Sequence, residues 1–191
     1  MQYSSPTEIA VCNLASVGLP SFVTPLKTFD FGALHNIVRI ATYNLNRIID
    51  ENSYPIASSG VSNKAHRPVG IGIQGLAETF ISLRILFESR EARELNLRIA
   101  QTMYHAAVEA SCDLVERFGP YKSFVGSPAS KGKLQFDLWS VDPQDTPYDW
   151  NALRVRVKHS GISNSLLVAL MPTVATSQIT GFSESFEPIL R

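Results

Sequence analysis

The stretch from Asn164 to Gln178 constrains this chain more than any other, because an apolar run, a proline and a threonine-bearing turn follow one another there. Leu166 to Leu170 is short, apolar and of the length that fills a fully buried strand. Pro172 stops such a strand and suits the first turn of a helix, where its missing N–H would have lacked an intrahelical partner anyway. The first backbone N–H groups of that helix point outward unpaired, its dipole end is positive, and Thr173 and Thr176 add hydroxyls beside them. The turn therefore suits a phosphate or another anion, although the same residues also serve a turn that merely caps itself. From these residues alone both readings stay open.

The rest of the chain bounds the partners. Lys plus Arg and Asp plus Glu both count 17 among 191 residues, so the net charge is zero and no broad basic surface invites nucleic acid or an anionic membrane. No run approaches the roughly 20 apolar residues of a membrane helix, and Met1 to Pro6 lacks the basic-then-apolar order of a signal peptide. A cytosolic protein is expected. The only cysteines, Cys12 and Cys112, are too few for a disulfide framework and too far apart for a zinc knuckle.

Ile9 to Leu19 is apolar and lies between Pro6 and Pro20, which predicts a strand or a buried extended segment with Cys12 buried or half-buried inside it. Taken alone, such a cysteine is a small hydrophobe. Asp30 predicts a helix cap, followed by Leu34, Ile37, Val38, Ala41, Leu45, Ile48 and Ile49 on one core-facing stripe. His35 reads as structural or solvent-facing, because no second metal-type ligand sits at i+4, and no metal set is assigned anywhere. Tyr54 to Lys64 reads as a turn-rich connection. Ser89 predicts the cap of the longest helix, with Ala92, Leu95, Ile99, Met103, Ala106, Ala110, Leu114 and Phe118 on one face until Gly119-Pro120. Cys112, near that stripe, reads as structural.

Tyr121 to Asp149, rich in Gly, Ser, Pro and aromatics, reads as a long ordered loop or a set of short turns, and loops of that length tend to carry function or cover something. Its Asp137, Asp142, Asp145 and Asp149 are not spaced as a calcium loop. Trp150 to His159 is expected to be a helix stopped at Gly161.

Gly70, Gly72 and Gly75 match the dinucleotide-binding spacing, with Glu91 and Glu94 at the distance of a ribose-binding acid. That fingerprint requires a buried strand before the first glycine, and Asn63 to Pro68 is polar and interrupted by proline. The preferred reading is a strand from Val69 to Ile73 whose glycines let it pack closely against the helix that follows.

Four stretches taken together are more specific than any one of them: Ala10-Val11-Cys12-Asn13-Leu14-Ala15-Ser16, Ser62 through Leu76, Gly126-Ser127-Pro128-Ala129-Ser130-Lys131-Gly132, and Met171-Pro172-Thr173-Val174-Ala175-Thr176-Ser177-Gln178. In collinear order they closely resemble the large, catalytic chain of class I ribonucleotide reductase, eukaryotic type. The resemblance implies an α/β fold, with residues 1–191 forming the C-terminal part of the ten-stranded α/β barrel in which ribonucleoside diphosphates lose their 2′-hydroxyl. It implies that Cys12 is one of two barrel cysteines that supply two electrons and become a disulfide each turnover. It also implies that Thr173, Val174, Ala175 and Thr176 hold the substrate diphosphate, and it makes the glycine fingerprint a packing element. Val174-Ala175 stands where the family more usually has Ala-Ser, which removes one hydroxyl donor and leaves the backbone donors.

Further roles follow from the resemblance alone. The radical-bearing cysteine, its flanking asparagine and glutamate, and the partner of Cys12 are expected upstream of this chain, and the radical-transfer tyrosines and a C-terminal dithiol downstream. No cofactor is expected within this segment. The parent enzyme uses a radical supplied by a metal-containing small subunit, ATP and dATP as effectors, a large-chain homodimer, and a thioredoxin- or glutaredoxin-type reductant. The chain alone is expected to have no turnover. Two other readings stand beside this one: a nicotinamide-dependent oxidoreductase built on Gly70, Gly72 and Gly75, and a non-enzymatic remnant that folds or pairs with a full-length chain.

Overall fold

Leu14–Gly18 (β1) and Gly70–Gln74 (β2) pair in parallel, Leu14 opposite Gly70 and Gly18 opposite Gln74. A third segment joins the far side of β2 through a parallel bridge between Ile71 and Val168, with the Val69 N–H donating to Leu166 O and the Ile71 N–H to Leu167 O. The computed structural model describes residues 4–143 and 146–188; Asp145 and the first three residues of the N-terminal stretch read above lie outside the described residues. The helices are α1 (Phe31–Glu51), α2 (Ala57–His66), α3 (Leu76–Leu83), α4 (Arg90–Asp113), α5 (Val115–Phe118), α6 (Gln135–Leu138), α7 (Trp150–Ser160) and α8 (Val174–Thr180). The fold is thus α/β with an open parallel sheet, in keeping with part of a barrel. Parallel pairing forces each connection to cross back over the sheet, which α1 and α2 do before β2, and α3 to α7 before the third segment.

Local chemistry accounts for the helix starts. The Asp30 carboxylate accepts from the Ala33 N–H at 2.8 Å, Ser89 Oγ from Ala92 at 3.1 Å, and the Asp149 carboxylate from Ala152 at 2.9 Å. Helix α4 stops at Asp113, and the four residues of α5 carry the chain on to Gly119, so the single helix expected there is broken at Leu114. Helix α1 packs along α4. Its buried face is Leu34, Val38, Thr42, Leu45, Asn46 and Ile49, whereas Ile37 and Ile48 are exposed. Thr42 and Asn46 are buried because their polar atoms are satisfied: Thr42 Oγ1 donates to Val38 O, and Asn46 Nδ2 to Thr42 O, both at 2.9 Å.

The connection expected from Tyr54 to Lys64 is largely helix α2, and its last turn is held from inside. Buried Asn63 donates to Tyr54 Oη at 2.6 Å and to Asn13 Oδ1 at 3.2 Å. Arg67 ends the helix in the left-handed conformation (φ 44°) and buries its guanidinium. It donates to Asp50 Oδ1 at 2.7 Å and to Asn46 Oδ1 at 3.0 Å, and it lies 3.8 Å from the centre of the Phe118 ring. The strand at Val69 to Ile73 is present as β2, but its glycines do not face the following helix. A Cβ on Gly70 would meet Leu14 at 2.7 Å, and one on Gly75, the left-handed N-cap of α3, would meet Pro20 at 2.7 Å. Helix α7 and its stop at Gly161 match the expectation, and Tyr121 to Asp149 is a set of turns interrupted by a short 3-10 turn and α6. Among the described residues no helix is long and apolar enough to cross a membrane.

Candidate functional site

Cys12 is exposed, not buried as its apolar surroundings predict. The reason is register. The Gly70 N–H donates to Asn13 O at 2.9 Å, so the ladder already holds the chain at Asn13. Side chains then alternate: Asn13 and Val17 are buried, while Cys12 and Leu14 are exposed. Asn13 is fixed on the buried side by donating to Asn63 Oδ1 at 2.6 Å and Pro68 O at 2.8 Å. The alternation puts Cys12, Leu14 and Ser16 on one face of the sheet, and four extended residues place Cys12 about 13 Å from Ser16 along the strand.

The run from Leu166 to Leu170 is not a fully buried strand. Leu167 is 6% exposed, whereas Leu166 and Leu170 are 39% and 56% exposed. Among the described residues it pairs with β2 on one side only, which leaves Leu166 and Leu170 partly open. Pro172 does not sit in the first turn of a helix either, because α8 begins two residues later, with Thr173 as its N-cap and Val174 as its first residue.

Thr173 is buried and does not cap α8 with its side chain. Its Oγ1 instead accepts from the Ser185 N–H at 2.9 Å. Val174, Ala175 and Thr176 are exposed, and their N–H groups precede the first i to i−4 bond of the helix, from the Ser177 N–H to Thr173 O at 2.8 Å. Thr176 Oγ1 donates to Thr173 O at 3.1 Å and lies 3.4 Å from Ser16 Oγ. The turn is therefore joined to β1 through Ser16, on the face that carries Cys12. Donors directed outward from an exposed helix start suit an anion, and the thiol on the same face suits exchange chemistry.

Several residues that shape this region have no sequence signal of their own. Glu78 on α3 accepts from both the N–H and the hydroxyl of Ser183 at 2.7 Å, and the Gly75 N–H donates to Ser183 O at 3.0 Å. That double clamp holds the segment whose Ser185 N–H reaches Thr173. Gly72 lets the 169–171 stretch approach: a Cβ there would lie 2.5 Å from Met171 Sδ and 2.6 Å from Ala169 O. Both Gly70 and Gly72 lie within β2, so they do not form the phosphate-wrapping turn of a dinucleotide site, which comes after its strand. Cys112 is buried inside α4, and burial pushes its thiol up to about 11, which leaves Cys12 as the accessible sulfur.

His35 does not face open solvent. Its ring meets His105 of α4, and burial holds both imidazoles below the usual histidine range. The neighbouring Arg39 pairs with Glu109 and with Asp113, and Asp113 also takes Arg156 and the Tyr43 hydroxyl.

Comparison with known proteins gives a consistent answer. The family model described as "Ribonucleotide reductase, barrel domain" matches residues 1–191. The ribonucleoside-diphosphate reductase large chain of Schizosaccharomyces pombe is 54% identical over 188 residues, covering 98% of this chain and 23% of its own length. The large subunit of Caenorhabditis elegans is 54% identical over 188 residues, covering 98% of this chain and 24% of its own. The large chain 2 of Saccharomyces cerevisiae is 50% identical over 194 residues, covering 99% and 22%. The chain thus spans less than a quarter of the length of these curated relatives.

Proposed function

Since this chain belongs to the ribonucleotide reductase barrel-domain family, we propose that residues 1–191 form the C-terminal part of that barrel and supply one redox thiol and the diphosphate cradle of a ribonucleoside-diphosphate reductase. The carrying observation is that Ser16 of β1 touches Thr176 of the α8 turn, while Cys12 stands exposed just before the same strand. In this reading the N–H groups of Val174, Ala175 and Thr176 receive the substrate diphosphate, Thr173 fixes the entry to the turn, and the ribose extends along β1 toward Cys12.

The net reaction assigns Cys12 its part. Two thiols give up two protons and two electrons and join as a disulfide, the ribose 2′-hydroxyl leaves as water, and a hydrogen takes its place at that carbon. Cys12 is one of the two. The second belongs to another part of the enzyme, because Cys112 is buried and its thiol is pushed up to about 11. A thioredoxin- or glutaredoxin-type reductant then restores the pair by thiol exchange, which an exposed sulfur permits. The radical that starts the reaction is supplied from a metal-containing small subunit. ATP and dATP as effectors, and a large-chain homodimer, belong to the same reading, as does a cytosolic location. No residue of this chain is assigned to those roles.

The test is a chimaera in which residues 1–191 replace the matching segment of a full-length relative. The expected result is CDP reduction with the small subunit and dithiol, lost on Cys12→Ser. An inactive but folded chimaera would favour the remnant reading, and activity that survives Cys12→Ser would remove the thiol assignment. On the 191-residue chain itself, CDP should slow alkylation of Cys12 and pyrophosphate, which fills only the turn, should reverse that protection by competing with CDP; CDP reduction by this chain with a small subunit alone would contradict the expected lack of turnover.

A further inference from the structure

We propose that His35, His105 and Glu109 form a binding site for a divalent transition-metal ion, zinc above all, in the seam between α1 and α4. The three come from two long helices that pack side by side, so their relative positions are set by the core and not by a loop. His105 and Glu109 are one turn apart on α4 and therefore share a face, and His35 of α1 completes the set from the opposite side. His35 Nε2 lies 3.1 Å from His105 Nδ1 and 3.8 Å from Glu109 Oε2, and the three ligand atoms fall within 4.8 Å of one another. Zinc bonds of about 2.1 Å in tetrahedral array put ligand atoms about 3.4 Å apart, so small side-chain rotations admit the ion.

The donor set also indicates which ion. Two imidazole nitrogens and one carboxylate oxygen suit zinc and its neighbours in the first transition row, whereas calcium and magnesium require more oxygen. All three side chains are partly exposed, which leaves a fourth position for water. The ring positions are held from behind. The Tyr148 ring stacks at 4.4 Å on His105 and at 5.9 Å on His35, and the Trp150 ring meets His105 edge-on at 5.4 Å.

Arg39 opposes the ion, because it pairs with the same Glu109 oxygen that faces His35. It has a second partner in Asp113 at 2.8 Å, so Glu109 can turn toward a metal without leaving the guanidinium unpaired. The site is independent of the reductase chemistry, since none of its residues is shared with the Cys12 face or the α8 turn. No i+4 ligand on α1 announces it, because its second helix is α4.

The test is a titration of the 191-residue chain with Co2+, followed by displacement with Zn2+, after Cys12 has been capped with iodoacetamide. The expected result is one equivalent of cobalt with the visible bands of a four- or five-coordinate ion, displaced by one equivalent of zinc. His35→Ala and Glu109→Gln should each weaken binding at least about tenfold, as loss of even an outer-shell partner often does. His159→Ala should leave it unchanged. Helical circular dichroism checks each variant, and His35→Gln replaces His35→Ala if the smaller side chain disturbs the seam. Absence of stoichiometric binding in the parent chain, or equal affinity in folded His35 and Glu109 variants, would overturn the proposal.

Discussion

Thr173 Oγ1 accepts the N–H of Ser185 at 2.9 Å, so the residue that opens the α8 turn is held by a segment twelve positions further along the chain. The entry to the turn is thus fixed by tertiary structure, because α8 itself supplies no side-chain cap. Thr173→Val keeps the shape of the side chain and leaves the buried Ser185 N–H without an acceptor. The expected cost is about 1–3 kcal/mol, the penalty for stranding one buried donor, measured by urea unfolding against Thr180→Val, whose hydroxyl only bonds back within its own exposed turn.

Gly72 is where β2 and the 169–171 stretch touch most closely. Gly72→Ala places a carbon 2.6 Å from the Ala169 carbonyl oxygen, and backbone cannot rotate away as a side chain can. It should destabilise the chain by about 1–3 kcal/mol, as overpacking does, and should also weaken protection of Cys12 by CDP. Gly126→Ala, whose added carbon meets no atom within 4 Å, gives the comparison for backbone strain alone, since Gly126 has φ 86°. A loss under about 0.5 kcal/mol in Gly72→Ala would show that contact with Ala169 is not what matters.

Arg67 joins α2 to α1 by a forked ion pair and adds a ring contact. Its guanidinium reaches both oxygens of Asp50 at 2.7 and 3.1 Å while lying on the Phe118 ring. Lysine offers neither the fork nor the flat face. Arg67→Lys keeps the charge and deprives the buried Asn46 acceptors of the guanidinium, so it should cost about 1–3 kcal/mol in chemical denaturation.

The two sulfurs should separate cleanly in a labelling experiment. Cys12 is exposed, while Cys112 is 3% exposed and its thiol is raised to about 11. Iodoacetamide at pH 8 under native conditions should modify Cys12 and leave Cys112 untouched until urea is added, as read by peptide mass spectrometry.

Asp137 provides a pH-dependent contribution. Its bonds from Arg154 at 2.6 and 3.1 Å hold its carboxyl below the ordinary 3.8, so the folded state keeps the charge to lower pH than the unfolded chain does. The stabilisation is present above that ordinary value and is lost as the pH falls through the depressed one. Asp137→Asn should be less stable than the parent by up to about 1 kcal/mol at pH 7, given the partial exposure of the pair. The gap should close as the pH drops below 3.8 in thermal melts.

The sequence was legible where a signal is local. Asp30 and Ser89 mark their helices because a cap needs only its own first turn, and β2 follows from five residues around two glycines. Helix α2 was illegible because Ser58, Ser59 and Gly60 favour turns, and what overrides them is Asn63 and Arg67 bonding to residues far away in the chain. The stripe on α1 was right at Leu34, Val38, Leu45 and Ile49 and wrong at Ile37 and Ile48, since apolar spacing does not show that Thr42 and Asn46 find partners inside. Nothing in the local pattern marks Cys12 as exposed. The pairing register that turns it outward depends on where Asn13 meets Gly70, 57 positions away. The His35 and His105 pair was hidden for the same reason, their proximity arising only when α1 and α4 pack.

Because β1, β2 and the 166–169 segment all run in one direction, Cys12 before β1 and Thr173 after the third segment mark opposite ends of the sheet, and the ladder between them sets how far apart they stand. A change in the wrapping that leaves these pairings whole keeps the thiol and the turn at the same separation.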